Sequence, residues 1–536
     1  AQIAVSDFIM GGMEHTTATT QTDRVLMDAR AYPEFTADWL VSHELAHQWF
    51  CDLLTCKEWS HAWLNESFAT YFEALFTEHD LGQDEFEYEM ADKLRLYLDE
   101  DRKVYRRPIV TNMYRHPDDL FDRHLYEKGS LVLHMLRRDL GDNLFWKSIR
   151  RYVETFQGRA VETNDLIAAI QDATGRNMRK FFDQWVYGPG HPDYTVHYWW
   201  DDKKRRAHVR VSQKPVDGGK YFHVRMPIEF VTASGTKRFT ETLDGKHHEY
   251  KYFFREEPLD FRFDPEHTYL KTAEISKPHR MWLKQLASDP HTVGRIDAAR
   301  GVSKIKTEES VRALGQAFSR EKFWGASREI ALCLGGMEMD ESRKFLLRSL
   351  NVRHPKVRRA VAEALGNFTD RETAKALKDL FNRDKSYFVA AESLQSLAAI
   401  SPSDARDSVR KALKMESWND TFRAAAVSTL SKHFSGETVR LAREYVRYGY
   451  QPSTRGAAVQ VLSKGARAYP ELFKDLYELT NDKQTRIKYA AITALGNTRD
   501  PRVAHLLDKI SKDKKQPHRT RSLAEDALLK VKPSKD

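Results

Sequence analysis

One short segment of this chain recurs at intervals of 32 or 33 residues. Residues 357–367 (VRRAVAEALGN) reappear as residues 487–497 (IKYAAITALGN). Further copies, some of them weaker, begin near Val293, Ala326, Val389, Phe422, Thr454 and Thr520. A unit of this length cannot bury its apolar face alone, so neighbouring units stack into a solenoid of helix pairs. We therefore predict a helical repeat domain over residues 276–536.

The hydrophobic pattern upstream of the repeats changes twice. Residues 193–275 contain strictly alternating runs with glycine turns between them, which predicts a small antiparallel β-sandwich. Residues 1–192 are mostly helical in pattern, and Ile3–Met10 is their one convincing strand. An apolar strand needs sheet partners, which we expect either to lie upstream of residue 1 or to be missing. The sequence thus predicts a multidomain α+β protein.

The composition is that of a globular protein, with 41% hydrophobic and 30% charged residues. Three cysteines cannot form a disulfide framework, and no apolar run reaches the roughly 18 residues that span a bilayer. Cys51 and Cys56 are interpreted as free thiols outside any ligand set. No compartment follows from these features, although we favour the cytoplasm.

Charge is distributed unevenly along the chain. Residues 1–192 carry 21 Lys and Arg against 32 Asp and Glu, whereas residues 193–536 carry 65 against 45. A basic side chain recurs at one position of the repeat, namely Arg358, Arg423, Arg455, Lys488 and Arg521. We expect these to form a basic ladder along the solenoid. No row of aromatic residues accompanies it, so nucleic acid is not an expected partner.

Residues 43–47 read His-Glu-Leu-Ala-His, inside an amphipathic segment. On a helix, His43 and His47 share one face and can bind one Zn²⁺, while Glu44 turns toward the open coordination position. The metzincin extension would need Gly at position 50 and His at 53, where this chain has Phe50 and Leu53. Glu66 opens the next helical pattern and completes the His₂Glu set of a catalytic zinc.

Three stretches resemble the M1, or gluzincin, family of zinc aminopeptidases. They are residues 11–15 (GGMEH), residues 43–69 (HELAHQWFCDLLTCKEWSHAWLNESFA) and residues 126–129 (YEKG), in the order and spacing of the family. The family usually has Gly where Cys51 and Ser67 stand, and Asn where His15 and Asp52 stand. The resemblance extends over the whole chain and implies a thermolysin-like catalytic domain over residues 1–192 and a HEAT-like solenoid.

The resemblance also implies a function. The chain would remove N-terminal residues from peptides with free N-termini, and an N-terminal domain of the family would be missing upstream. One Zn²⁺ would be bound by His43, His47 and Glu66, with Glu44 as general base and Tyr126 stabilising the tetrahedral intermediate. Gly11, Gly12, Met13 and Glu14 would bind the substrate, with Glu14 holding its α-amino group.

Two other functions remain open at this point. A non-catalytic scaffold of the same architecture could use its basic solenoid to bind protein or nucleic acid. Hydrolysis of a lipid epoxide, as in the leukotriene A4 hydrolase branch of the family, is neither required nor excluded by the sequence.

Overall fold

The computed structural model describes residues 1–431 and 435–531. The chain opens with three short strands, β1 (Gln2–Val5), β2 (Gly12–Met13) and β3 (Thr19–Thr22), in the sheet order β1-β3-β2. The expectation that the partners of the opening strand lie upstream of residue 1 or are missing is therefore wrong, because β3 pairs with it. The sequence of β3, Thr-Thr-Gln-Thr, has no apolar alternation that could have predicted a strand.

Seven helices and a two-stranded parallel sheet follow. Their bounds are α1 (Asp38–Ala46), β4 (Leu54–Cys56), α2 (Trp63–Leu81), α3 (Gln83–Lys103), α4 (Gly129–Leu140), α5 (Asp142–Phe156), β5 (Arg159–Val161), α6 (Thr163–Thr174) and α7 (Arg179–Trp185). Helix α2 lies at the centre, since most of its residues are buried. Its Phe68 ring packs on Phe50 at a centroid distance of 4.5 Å. This core holds the start of α2 close to α1.

The face of α1 that points away from the two histidines is apolar and open to solvent. Leu45 and Trp49 are 56% and 49% exposed. Together with Phe76 of α2 and Trp146 of α5 they line an open groove of about 520 Å³. Helix α1 thus has two chemically different sides, one apolar and one that carries His43 and, just beyond its end, His47.

Residues 193–276 form two packed sheets. The strands are β6 (Asp193–Asp201), β7 (Arg206–Lys214), β8 (Val224–Thr232), β9 (Gly235–Leu243), β10 (His247–Phe253), β11 (Asp260–Phe263) and β12 (Thr272–Ser276), in the orders β10-β7-β6-β12 and β11-β8-β9. Tyr198 of one sheet stacks on Phe261 of the other at 5.4 Å. The sequence predicts a sandwich that is antiparallel throughout. The structure differs at one strand, because β12 runs parallel to β6 with Thr272 opposite Asp193.

Sixteen helices complete the described chain. They are α8 (His279–Ser288), α9 (Thr292–Ser303), α10 (Glu308–Arg320), α11 (Trp324–Met337), α12 (Asp340–Arg348), α13 (Pro355–Leu365), α14 (Arg371–Arg383), α15 (Tyr387–Ile400), α16 (Pro402–Ala412), α17 (Thr421–Leu430), α18 (Gly436–Tyr445), α19 (Pro452–Gly465), α20 (Leu472–Leu479), α21 (Thr485–Asn497), α22 (Ala504–Lys512) and α23 (His518–Val531). The repeated segments are alternate helices of this series. A Cβ on Gly496 would lie 2.7 Å from Ala527 Cα, so the recurring glycine lets successive repeat helices approach closely. The predicted solenoid and the multidomain α+β class are confirmed.

The recurring basic residue of the repeat does not form a free ladder. Arg358 pairs with Asp384 at 2.7 Å, and Arg455 is 1% exposed and pairs with Asp482. Arg423 donates to the backbone carbonyl of Leu413 at 3.0 Å. These guanidinium groups therefore stabilise the stacking of repeats, and the expectation of a basic ladder is wrong for these three positions.

The chain divides into two compact units. The first contains Ala1–Met13, Thr20–Ala37 and the chain from Ala331 onward, and the second contains Glu14–Thr19 and Asp38–Ile330. Within the first unit, Tyr387 Oη donates to Asp28 Oδ2 at 2.8 Å and Ser386 Oγ donates to Glu34 Oε1 at 2.6 Å. Within residues 1–431 and 435–531, none of the helices combines the length and hydropathy that crossing a bilayer needs.

Candidate metal centre

Helices α1 and α2 bring three donor atoms together. His43 and His47 share one face of the α1 segment, and Glu66 lies in the first turn of α2. The Nε2 atoms of the two histidines are 3.2 Å apart. Glu66 Oε2 lies 3.6 Å from His43 Nε2 and 3.3 Å from His47 Nε2. The three residues proposed as ligands thus form a compact triangle of donors.

The triangle has the dimensions of a zinc site. Ligand atoms held 2.0–2.1 Å from a tetrahedral ion are separated by about 3.3–3.4 Å, which is close to the three distances observed. His43, His47 and Glu66 also supply the two imidazole nitrogens and one carboxylate oxygen typical of a catalytic zinc. The residues present therefore fit one Zn²⁺ with a coordination position left open.

The imidazole rings are oriented from behind by further contacts. His43 Nδ1 lies 3.1 Å from Glu73 Oε2, and Lys93 Nζ donates to the other oxygen of Glu73 at 3.1 Å. His47 Nδ1 lies 3.0 Å from the carbonyl oxygen of Phe50. Contacts of this kind fix the tautomer that leaves Nε2 free to bind a metal. Glu73 follows Glu66 by two helical turns on the same face of α2.

The donors interact strongly with one another. Burial favours the neutral form of Glu66, but hydrogen bonds from His43 and His47 outweigh it and lower the pKa of Glu66 to about 2. Burial likewise opposes protonation of His43, but hydrogen bonds to Glu66 and Glu73 raise its pKa to about 10. A metal ion at these atoms would take the place of that proton, so metal binding is expected to release protons.

Glu44 lies beside His43 on α1 and is 4% exposed. Its Oε2 is buried and has no hydrogen-bond partner among the described residues. Burial raises the pKa of Glu44 to about 7, against the opposing charges of His43 and His47. A cation at the donor triangle would lower this pKa again. An unpartnered buried carboxylate at this position suits a group that exchanges protons with a bound molecule.

Tyr126 lies in a π-helical turn, His124–Lys128, and its ring centroid is 6.2 Å from that of His43. Burial and the nearby Glu66 carboxylate raise the pKa of Tyr126 well above its ordinary value, so its hydroxyl remains a proton donor at neutral pH. Gly129 follows the turn where a Cβ would lie 1.8 Å from Ser67 Oγ of α2. Only glycine lets the turn approach α2 this closely.

Glu14 is 9% exposed, and Cys51 Sγ donates to its Oε1 at 3.1 Å. Glu14, His47 and Cys51 together offer three ligand atoms within 4.8 Å of one another. Gly12 and Met13 form strand β2, opposite Gln21 and Thr20 of β3, in the first compact unit. The role of Gly11, Gly12 and Met13 in binding a substrate stays a prediction.

The sequence did not reveal the polar network that surrounds the turn carrying Tyr126. The ring of His124 is fully buried, with Nε2 at 3.5 Å from Asp101 and Nδ1 at 3.4 Å from Asp122. Arg107 pairs in turn with Asp122 at 2.6 Å. These residues share no motif spacing, so only the folded chain brings them together.

Comparison with known proteins matches two parts of this chain to family models. Residues 1–185 match the peptidase family M1 domain, and residues 311–398 and 439–528 match HEAT repeats. Aminopeptidase M1 of Arabidopsis thaliana is 33% identical over 200 residues, which are 35% of this chain and 22% of that protein. Tricorn protease-interacting factor F2 of Thermoplasma acidophilum is 32% identical over 252 residues, covering 44% of this chain and 30% of that protein.

A solved structure shares the fold. Legionella pneumophila aminopeptidase A in complex with aspartic acid superimposes with a TM-score of 0.72 at 15% identity, covering 99% of this chain and 70% of that one. The chain spans under a third of the length of the two sequence relatives described above. The His-Glu-Leu-Ala-His helix and its glutamate on α2 lie within the matched residues. The chain therefore carries a peptidase family M1 domain, followed by HEAT repeats.

Proposed function

We propose that this chain is a zinc-dependent aminopeptidase that removes N-terminal residues from peptides. The observation that carries the proposal is the triangle of donor atoms from His43, His47 and Glu66 beside the buried carboxylate of Glu44. The relatives named aminopeptidases support the same class of reaction.

The residues of the centre suit hydrolysis of a peptide bond. Zinc bound to the three donors would act as a Lewis acid toward water and the scissile carbonyl. Glu44 takes a proton from the attacking water and returns it to the leaving amine. The hydroxyl of Tyr126 donates a hydrogen bond to the carbonyl oxygen as negative charge develops there.

Glu14 accounts for a preference for free N-termini. Among the residues that the structure describes, its buried carboxylate accepts a hydrogen bond from the Cys51 thiol and forms no ion pair. A substrate's α-ammonium group would supply the missing positive charge. Gly11, Gly12 and Met13 precede Glu14 and are proposed to bind the substrate backbone, as the family resemblance implies.

The scaffold alternative has less support. It would not require the three donors or an unpartnered Glu44, and the arginines that suggested a basic binding surface are paired within the repeats. No observation on the described chain favours a lipid epoxide as substrate over a peptide.

The proposal is tested by metal content and hydrolysis together. We expect one zinc per chain, loss of zinc in His47→Ala, and its retention in His61→Ala. His61 is a matched control, since it is half-buried nearby and contacts Thr163 Oγ1 at 2.9 Å. Aminoacyl amides with a free amino group should be hydrolysed, their N-acetylated forms much more slowly, and chelation should abolish the reaction.

Two results would contradict this function. Zinc bound as tightly by His47→Ala as by the natural chain would remove the assigned ligand set. Equal rates on free and N-acetylated substrates would show that the chain does not read the α-amino group.

A further inference from the structure

A second group of metal donors adjoins the first centre. Cys51 Sγ lies 3.1 Å from Glu14 Oε1, and a nitrogen of His47 lies within 4.8 Å of both residues' ligand atoms. A thiolate sulfur next to a carboxylate oxygen favours soft or borderline ions such as Zn²⁺ and Cd²⁺. The sulfur distinguishes this group from the triangle of His43, His47 and Glu66, which contains none.

The charge at Glu14 points independently to a cation. Only 9% of the Glu14 surface is exposed. The hydrogen bond that its carboxylate accepts comes from the weak S–H donor of Cys51. Burying a carboxylate without a counter-ion is unfavourable, so the position favours any cation that can reach it. A metal ion and an α-ammonium group would therefore compete for the same carboxylate.

We propose that Cys51 and Glu14 bind a second, soft divalent ion next to the zinc centre, and that this ion excludes the substrate's amino group. His47 serves the first centre through Nε2, so solvent would complete the coordination of the second ion. The Cys51 S–H bond breaks as the sulfur–metal bond forms, one proton passes to solvent, and no electron is transferred. The effect on hydrolysis rests on the proposed function, whereas metal binding itself does not.

Cys56 provides a matched control. It is half-buried like Cys51 and lies five residues away. Its sulfur accepts a contact from Asn65 Nδ2 at 3.7 Å. Among the described residues, Cys56 belongs to no group of three clustered metal donors.

The test titrates Cd²⁺ into the full chain already loaded with one equivalent of zinc. Cadmium bound to a thiolate gives a sulfur-to-metal charge-transfer absorbance, which cadmium in the sulfur-free triangle cannot give. We expect one further ion per chain with this absorbance, its loss in Cys51→Ser, and its retention in Cys56→Ser. Glu14→Gln should weaken binding at least about tenfold.

The Cys51→Ser and Cys56→Ser variants give different expected results. Cys51→Ser keeps a hydroxyl donor for Glu14, and its retention of one zinc per chain shows that the first centre is intact. Absorbance that persists in Cys51→Ser, or that disappears in Cys56→Ser, would overturn the site.

Hydrolysis tests the second half of the proposal. Excess zinc should inhibit the natural chain competitively with an aminoacyl amide, and inhibition of Cys51→Ser should need at least about tenfold more metal. If Cd²⁺ binds with the sulfur-to-metal absorbance and excess metal still does not inhibit an active chain, the proposed exclusion of the substrate's amino group is wrong. If the chain hydrolyses no aminoacyl amide, the proposed function fails while the spectroscopic result still decides the metal site.

Discussion

At the scale of single residues, Glu44 offers the sharpest test of catalysis. Glu44→Gln keeps the shape of the side chain and leaves His43, His47 and Glu66 untouched, so zinc content should not change. The rate of hydrolysis should fall at least about 100-fold, because the amide cannot accept the proton. Elemental analysis and steady-state rates on one preparation measure both quantities. Undiminished turnover would exclude Glu44 as the base.

Tyr126 is predicted to act on the transition state. Tyr126→Phe removes only the hydroxyl, whose raised pKa keeps it a donor near His43 and Glu66. We expect kcat to fall roughly 100-fold with little change in KM, since the hydrogen bond strengthens as charge develops on the carbonyl oxygen. A change confined to KM would instead identify Tyr126 as a residue that binds the ground state.

At the scale of elements, the turn His124–Lys128 depends on buried charges. Burial opposes protonation of His124, but the carboxylates of Asp101, Asp122 and Glu100, 3.4–3.6 Å away, outweigh it and raise its pKa to about 9. A raised pKa means that the imidazolium stabilises the fold. This stabilisation is fully present below the unfolded value of about 6.5 and is lost as the pH rises through 9.

We therefore predict that the free energy of unfolding falls by up to about 3 kcal/mol between pH 6 and pH 9.5 through His124 alone. Urea denaturation of the natural chain and of His124→Gln at both pH values isolates this contribution as a difference. The neighbouring Lys128, whose pKa burial lowers to about 7, titrates in both proteins and largely cancels. An equal pH dependence in both proteins would contradict the assignment.

At the scale of the whole molecule, an arginine–aspartate contact recurs between successive repeats. Arg358 pairs with Asp384 and Arg455 with Asp482, each partner lying 26 or 27 residues further along the chain. Arg455 also donates to the carbonyl oxygen of Val446 at 2.8 Å. The basic character of the repeat position thus serves the stacking of helices.

Removing one partner of the buried pair should be costly. Asp482→Ala leaves the guanidinium of Arg455, 1% exposed, without its counter-ion, and we expect a loss of about 3–5 kcal/mol in the free energy of unfolding. Asp407→Ala is the control, because Asp407 and Arg410 form an exposed pair at 4.0 Å worth at most about 1 kcal/mol. Urea denaturation compares the two variants, and equal losses would contradict a structural role for Arg455.

Patterns that are local in the chain determined much of this protein from sequence alone. The spacing of His43 and His47 places both on one helical face, and the interval of 32 or 33 residues marks alternate helices of the solenoid. The first follows from helical periodicity, which operates within a few residues, and the second from the recurrence of one helix-pair unit along the chain. Strand β3 escaped prediction because polar residues carry no such pattern.

The tertiary structure decided the contacts between residues that are distant in the chain. Cys51 comes within 3.1 Å of Glu14, 37 residues earlier, and the carboxylates around His124 come from α3 and from the loop before the turn. Nothing in the spacing of these residues encodes their proximity, because it depends on how helices and turns pack. For the same reason the sequence showed that Arg455 is basic, whereas only the stacking of repeats determined that its charge is buried against Asp482.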